Sequence, residues 1–165
     1  MRFIYPKWDD IEKLCDKLVH KFGSYRPDVL IGISRGGLVP VRILSDMMAN
    51  KNVAIFRMEF YTGVGKTKKK PEITQPLTID IKDKTVLLVD DVADSGRSLT
   101  VAKEYIERLG AKEVKIATLH FKPKSSFRPD YFVEQIDAWI IYPWEVREAK
   151  RQLKKLADMS KDFSR

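Results

Sequence analysis

The sequence predicts an α/β domain: a mainly parallel, twisted sheet flanked by helices on both faces, with a small C-terminal hood. Two observations carry this. A unit of apolar strand, glycine-bearing loop and amphipathic helix occurs at residues 29–48 and again at 86–110. The strands in it, "VLIGI" and "VLLV", are continuous apolar runs rather than alternating ones, as expected of strands covered on both faces. At 165 residues, 44% of them hydrophobic, the chain suits one domain over 1–165 with its own core.

The elements follow in order. Asp9 and Glu12 have capping-box spacing, and Ile11, Leu14, Cys15, Leu18, Val19 and Phe22 recur at offsets of three and four until Gly23, which predicts a first helix. "VLIGI" at 29–33 leads through "SRGG" into a second helix, traced by Val39, Ile43, Leu44, Met47 and Met48 with Pro40 in its first turn. "VAIFRMEF" at 53–60 suits a strand, as do residues 86–91. Leu99, Ala102, Ile106 and Leu109 mark a helix closed by Gly110. Further strands are predicted at 114–121 and 138–142, and a final helix from Val146, Ala149, Leu153, Leu156 and Ala157. The stretch 61–76 has no apolar period, is rich in Gly, Lys and Thr, and is long for a connection, so it is expected to be a mobile lid.

Composition excludes several classes. Cys15 is the only cysteine and His20 and His120 lie far apart, which leaves neither a disulfide framework nor a spaced zinc site. No apolar run approaches the ~20 residues of a membrane span and no leader opens the chain, so a cytoplasmic protein is expected. The net charge of +8 gathers in three places, 61–76, 122–128 and 145–165, each contributing +3. Such clusters suit nucleic acid, a small polyphosphate, or a solvated helix face, and do not choose among them.

Two motifs fail. "FYTGVGKT" at 60–67 ends like a phosphate-binding P-loop but has Phe60 where a Gly is needed, and Pro71 follows where a helix should run. "VLLVDD" resembles the start of a receiver domain, with Lys122-Pro123 echoing that family's lysine. Such a domain needs over ~100 further residues, and 74 remain after Asp91.

The stretch "VLLVDDVADSGRSL" at 86–99 carries the most chemistry. Adjacent carboxylates at a buried strand's end repel each other and lose solvation, so Asp90 and Asp91 need a partner such as sugar hydroxyls or hydrated magnesium. Ser95, Gly96 and Ser98 lead into a helix start, an arrangement that binds phosphate. A ligand bearing a diol and a phosphate a few ångström apart satisfies both, and ribose 5-phosphate is one. In "SRGGLVP" at 34–40, Gly36 and Gly37 allow close backbone approach and Arg35 offers a forked donor. A second phosphate site there describes phosphoribosyl pyrophosphate.

The hydrophobic-DD-x-x-D-[ST]-G-x-[ST] signature, "SRGGLVP", "KP" at 122–123 and W-I-x-x-P-W-[DE] at 139–145, in that order, resemble the type I phosphoribosyltransferases, most closely the xanthine-guanine kind of 6-oxopurine enzyme. The likeness runs from residue 7 to 145. It implies that fold, with a base-binding hood at 122–145 and a C-terminal basic helix at 146–165 outside the likeness. By resemblance, Asp90 and Asp91 hold ribose hydroxyls or Mg2+ waters. Asp94, Ser95, Gly96, Arg97 and Ser98 hold the 5-phosphate, and Arg35, Gly36 and Gly37 the pyrophosphate. The Ser34–Arg35 peptide is expected to be cis. Asp94 faces N7 of the purine as the catalytic proton acceptor or donor, Lys122 contacts the 6-oxo group, Trp139 stacks on the base, and the backbone of Ile140 reads its edge. The lid would bring Lys66 and Lys68 to Lys70 near the pyrophosphate.

The resemblance thus implies transfer of a phosphoribosyl group to hypoxanthine, guanine or xanthine, with Mg2+ as cofactor and a homodimer or higher homo-oligomer as assembly. Two departures stand out: Ile141 replaces the polar or acidic residue usual two positions after the tryptophan, and Phe60-Tyr61 replaces the Ser-Tyr usual at the lid's start. The alternatives are a phosphoribosyl pyrophosphate-sensing regulator that binds RNA or DNA through the basic segments, and transfer to another base. The regulator lacks room for a separate DNA-binding domain, so nucleic acid is not the expected partner.

Overall fold

A six-stranded sheet organises the chain, in a computed structural model that describes residues 2–61 and 70–162. The elements run β1 Phe3–Ile4, α1 Trp8–Phe22, β2 Val29–Ser34, α2 Leu38–Met47, β3 Val53–Tyr61, β4 Lys70–Gln75, β5 Thr85–Ala93, α3 Arg97–Arg108, β6 Glu113–Phe121, β7 Tyr131–Gln135, β8 Trp139–Ile140 and α4 Val146–Asp162. The sheet order is β4-β3-β2-β5-β6-β7, and every pairing is parallel except β3 with β4. Of the segment expected as a lid, Tyr61 ends β3 and residues 70–75 return along it as a strand. Residues 62–69, with Lys66, Lys68 and Lys69, lie outside the described residues.

Alternation along the central strands divides the core between the two faces of the sheet. Leu30, Leu87, Val89, Ala117 and Leu119 pack with α1 and α2 on one side. Val29, Ile31, Val86, Leu88 and Ile116 pack with Leu99, Ala102 and Ile106 of α3 on the other. Each of the Leu, Ile and Val side chains contributes about 1.5–3 kcal/mol when buried, so β2, β5 and β6 are the best-anchored strands. α1 buries Ile11, Leu14, Cys15, Leu18 and Phe22, as its spacing requires. Its cap is not the expected Asp9/Glu12 pair. Lys7 is the N-cap, and its backbone N–H donates to Asp10 Oδ2 at 2.8 Å.

From β2 the chain winds outward through α2 to β3, and from β5, on the other side of β2, through α3 to β6. The β2–β5 boundary is thus the point where winding reverses, and ligands of open α/β sheets bind beyond the strand ends there. "SRGG" and "DDVADSGRS" leave their strands at this place. Gly37 makes the tight packing possible: a Cβ on it would collide with Val89 O and lie 2.8 Å from Ile33 N, both backbone atoms.

The C-terminal part differs from expectation. The main sheet's outer strand is β7, not residues 138–142. Of the latter only Trp139 and Ile140 form a strand, paired in parallel with β1 in a separate two-stranded sheet. Leu153, expected on the apolar side of the last helix, is 47% exposed. Among the described residues no helix is long and apolar enough to cross a membrane.

Because the atoms around Gly37 are backbone and cannot turn aside, Gly37→Ala should destabilise the protein by about 2 kcal/mol or more, lowering Tm by roughly 4–8 °C. Thermal unfolding followed by circular dichroism checks this; a Tm within 1–2 °C of wild type would show that the loop yields.

Candidate active site

Two adjoining cavities open at the winding reversal, about 500 and 240 Å³ in volume. They share Asp91, Val92, Glu145 and Glu148. Of the residues expected at a site, Arg35, Gly36, Asp90, Asp91 and Ser98 line the larger one. Asp94, Lys122, Trp139 and Ile140, with Asp91 again, line the smaller. Gly37, Ser95, Gly96 and Arg97 line neither. Gly37 sits behind the wall against Val89, and the other three form the turn into α3 and its first residue.

That turn is held from several sides. Gly96 has φ 83°, a left-handed conformation open to glycine, and a Cβ there would lie 2.5 Å from Phe127 N. Ser95 O accepts hydrogen bonds from the backbone N–H and the hydroxyl of Ser126, at 3.1 and 2.9 Å. Lys122 N–H donates to Ala93 O at 3.0 Å. The 122–128 segment thus braces the loop, and α3's N-terminus points at the end of β5 where an anion is favoured.

Asp90 and Asp91 sit at the floor of the larger cavity. Burial, then the neighbouring Asp91 carboxylate, raises Asp90 well above the usual carboxylate range. Burial, then Glu145, raises Asp91 to about 7. A Cβ on Gly36 would fall 2.7 Å from the Asp91 carboxyl, so the glycine makes room for it. The Asp91 backbone is tied from below: the Tyr142 hydroxyl donates to its carbonyl at 3.1 Å and lies 2.8 Å from His120 Nδ1. His120 is buried and held neutral, its pKa lowered to about 4 by desolvation. No group of three or more metal-ligating side chains occurs among the described residues. The donor set is two carboxylates, with Glu145 beside them: oxygen-only and short of a full cage, which fits Mg2+ held mostly by waters and ligand oxygens.

In the smaller cavity, Lys122 is 6% exposed, too buried for a surface lysine. Its Nζ lies 3.1 Å from Asp94 Oδ1 and 5.5 Å from the centre of the Trp139 ring. Lys124 Nζ reaches the same Asp94 oxygen at 3.5 Å, yet that oxygen, itself buried, accepts no aligned hydrogen bond. Trp139 is 47% exposed, which removes it from the core and leaves its ring free over the cavity. Trp139 N–H and Ile141 N–H both donate to β1, to Arg2 O at 2.8 Å and Ile4 O at 3.0 Å. Strand geometry then turns the Ile140 backbone groups the other way, toward the cavity that Ile140 lines. The Ser34–Arg35 peptide is cis.

The contribution of α4 was not legible in the sequence, where 146–165 reads as a basic tail outside the site. Glu145, Glu148, Ala149 and Gln152, one helix face at offsets of three and four, line the cavities, while Arg147, Lys150, Arg151 and Lys154 are exposed. Arg35 donates from Nη2 to both oxygens of Glu148, at 3.0 and 2.8 Å. The Trp144 indole N–H stands beside the Asp91 carboxyl at the larger cavity and partly offsets the effect of its burial. Both "W" and "E" of residues 144–145 stand in the sequence motif, but nothing in their spacing says which cavity they face.

Residues 6–151 match the family model described as the phosphoribosyl transferase domain. The chain is 27% identical over 144 residues to a xanthine-guanine phosphoribosyltransferase of Gluconobacter oxydans, covering 84% of this chain and 82% of that one. It is 26% identical to a hypoxanthine-guanine phosphoribosyltransferase of Schizosaccharomyces pombe, covering 94% and 95%. The crystal structure of a purine phosphoribosyltransferase from Pyrococcus horikoshii superposes with a TM-score of 0.81 at 42% identity, over 87% of this chain and 95% of that one.

With its carboxyl raised to about 7, Asp91 binds its proton more tightly folded than unfolded. Its contribution to stability is fully present below the ordinary carboxylate range near ~4 and is lost as pH rises to about 7. Asp91→Asn should therefore raise the Tm of the ligand-free protein at pH 8 by about 2–4 °C and leave it nearly unchanged at pH 4.5. Thermal unfolding at the two pH values checks the difference.

Proposed function

We propose, for a chain that belongs to the phosphoribosyl transferase family and is an enzyme of its class, that it moves the 5-phosphoribosyl group of phosphoribosyl pyrophosphate onto a 6-oxopurine. The carrying observation is Asp94 Oδ1: buried without an aligned hydrogen bond, it stands beside the Lys122 ammonium under an exposed tryptophan ring. An acceptor, a cation and an aromatic face within one cavity of about 240 Å³ suit a flat heterocycle carrying an N–H and a carbonyl oxygen. Beside it, the larger cavity would take the ribose at Asp90 and Asp91, the 5-phosphate at the Asp94–Ser98 loop, and the pyrophosphate at Arg35.

In this reading Lys122 donates to the 6-oxo oxygen, the base lies on Trp139, and the Ile140 backbone meets the base's edge. The purine nitrogen forms its bond to ribose C1 as the C1–oxygen bond to pyrophosphate breaks, and Asp94 receives the proton that the base gives up at N7. Arg35 stabilises the negative charge gathered on the departing pyrophosphate. Asp90 and Asp91, together with ligand oxygens, would hold Mg2+, which when bound would supply further neutralisation of that charge. Ile141 is 4% exposed and stays in the packed interior, so it offers the purine's 2-position nothing polar. Hypoxanthine, guanine and xanthine accordingly remain one substrate class. A cytoplasmic location and a homo-oligomeric assembly go with this reading as expectations of the family.

Nucleoside monophosphate should form when the protein is incubated with Mg2+, phosphoribosyl pyrophosphate and each of hypoxanthine, guanine and xanthine, and far more slowly with adenine or uracil. Silence with all three 6-oxopurines would sink the proposal. Asp94→Asn should cut kcat by about 10²–10⁴-fold while phosphoribosyl pyrophosphate affinity stays within about twofold. Equal loss of both would remove Asp94 from its role.

A further inference from the structure

We infer that Glu148 is a resident counter-ion for Arg35 that sets how tightly the larger cavity takes its anionic ligand, and that α4 is the element displaced when that ligand binds. The inference rests on the reading of Arg35 as the pyrophosphate donor. Both carboxylate oxygens lie on one guanidinium nitrogen, Nη2, at 3.0 and 2.8 Å, where oxygens of a phosphate group would otherwise bind. Nothing in the local sequence forces the contact, since the partners are 113 residues apart. Arg35 cannot hold Glu148 in this way and also present the same donor to an incoming pyrophosphate.

The surroundings add to the conflict. Glu145, Asp90 and Asp91 line the same cavity, so a polyanion that left Glu148 in place would enter beside four carboxyl groups. Arg57, on the strand beside Ser34, is likewise engaged by a carboxylate, Glu59 Oε1 at 2.5 Å, and lines the adjoining cavity with Arg35. Among the described residues, both arginines on this side of the site thus carry a carboxylate partner. Glu148 also lies on the helix face that brings Ala149 and Gln152 to the smaller cavity. Releasing Glu148 therefore loosens the wall of the base cavity as well, which links occupation of one cavity to the shape of the other.

The ion pair is exposed, with side-chain accessibilities of 70% for Arg35 and 34% for Glu148, so its effect is modest. An exposed pair corresponds to a change of about two- to fivefold in affinity. Calorimetric titration of inorganic pyrophosphate in Mg2+ into wild type, Glu148→Gln, Glu148→Asp and Lys150→Gln measures it. Both Glu148 variants should bind pyrophosphate about two- to fivefold more tightly than wild type. Glu148→Asp matters most, because it keeps the charge but shortens the reach to the fork. Lys150→Gln, on the exposed side of α4, should bind like wild type.

Unchanged or weaker binding by both Glu148 variants overturns the counter-ion role. Tighter binding by Glu148→Gln alone also overturns it, since removal of charge from the neighbourhood would then account for the gain. Failure of wild type and every variant to bind pyrophosphate overturns instead the assignment of Arg35 on which the inference stands.

Discussion

Two carboxylates side by side at the end of a buried strand govern the organisation of this protein. Asp90 and Asp91 are desolvated by the fold and repel each other, and Glu145 adds a third negative group beside Asp91. Of the basic groups that line the two cavities, Arg35 is committed to Glu148 and Lys122 to Asp94. The ligand-free domain thus keeps an electrostatic deficit at one point. A hydrated divalent ion and a ribose diol are the kind of partners that relieve it.

The surrounding architecture serves to hold that deficit in place. The strands carrying the loops are buried through their apolar stretches, and glycines at 36 and 37 let the first loop close over the second without steric conflict. The Tyr142 hydroxyl, with His120 behind it, fixes the Asp91 carbonyl from the far side. The segment at 122–128 braces the turn into α3, and the short β1–β8 pairing holds Trp139 out over the smaller cavity instead of in the core. α4 closes the remaining wall, and the solvent-exposed Arg35–Glu148 ion pair joins it to the first loop.

What the sequence made legible follows from which forces leave a periodic trace. β2 and the first half of β5 are buried on both faces and read as unbroken apolar runs, and α1 to α3 bury one stripe at helical spacing. The two loops were legible because glycine and paired acids at a strand end have few other uses. β1 was not, since two residues carry no period. β7 escaped notice beside the more apolar 138–142 segment, of which Ile140 and Tyr142 join the core cluster that contains α1. Spacing alone cannot distinguish the Asp9 and Glu12 pair from Lys7 and Asp10, two residues earlier. Least legible was α4: its basic residues dominate the composition, while the acidic side that faces the site depends on a contact spanning more than a hundred residues.

The central claim is that the Asp90–Asp91 deficit is relieved by the ligand. Calorimetry of Mg2+ and phosphoribosyl pyrophosphate binding near pH 6.5, repeated in buffers of different ionisation enthalpy, counts the protons exchanged on binding. Wild type should release about one proton more than Asp91→Asn, as ligand binding drives Asp91 to its charged form. Equal proton exchange by the two proteins would mean that the carboxylates already stand charged without a ligand, and would contradict the account.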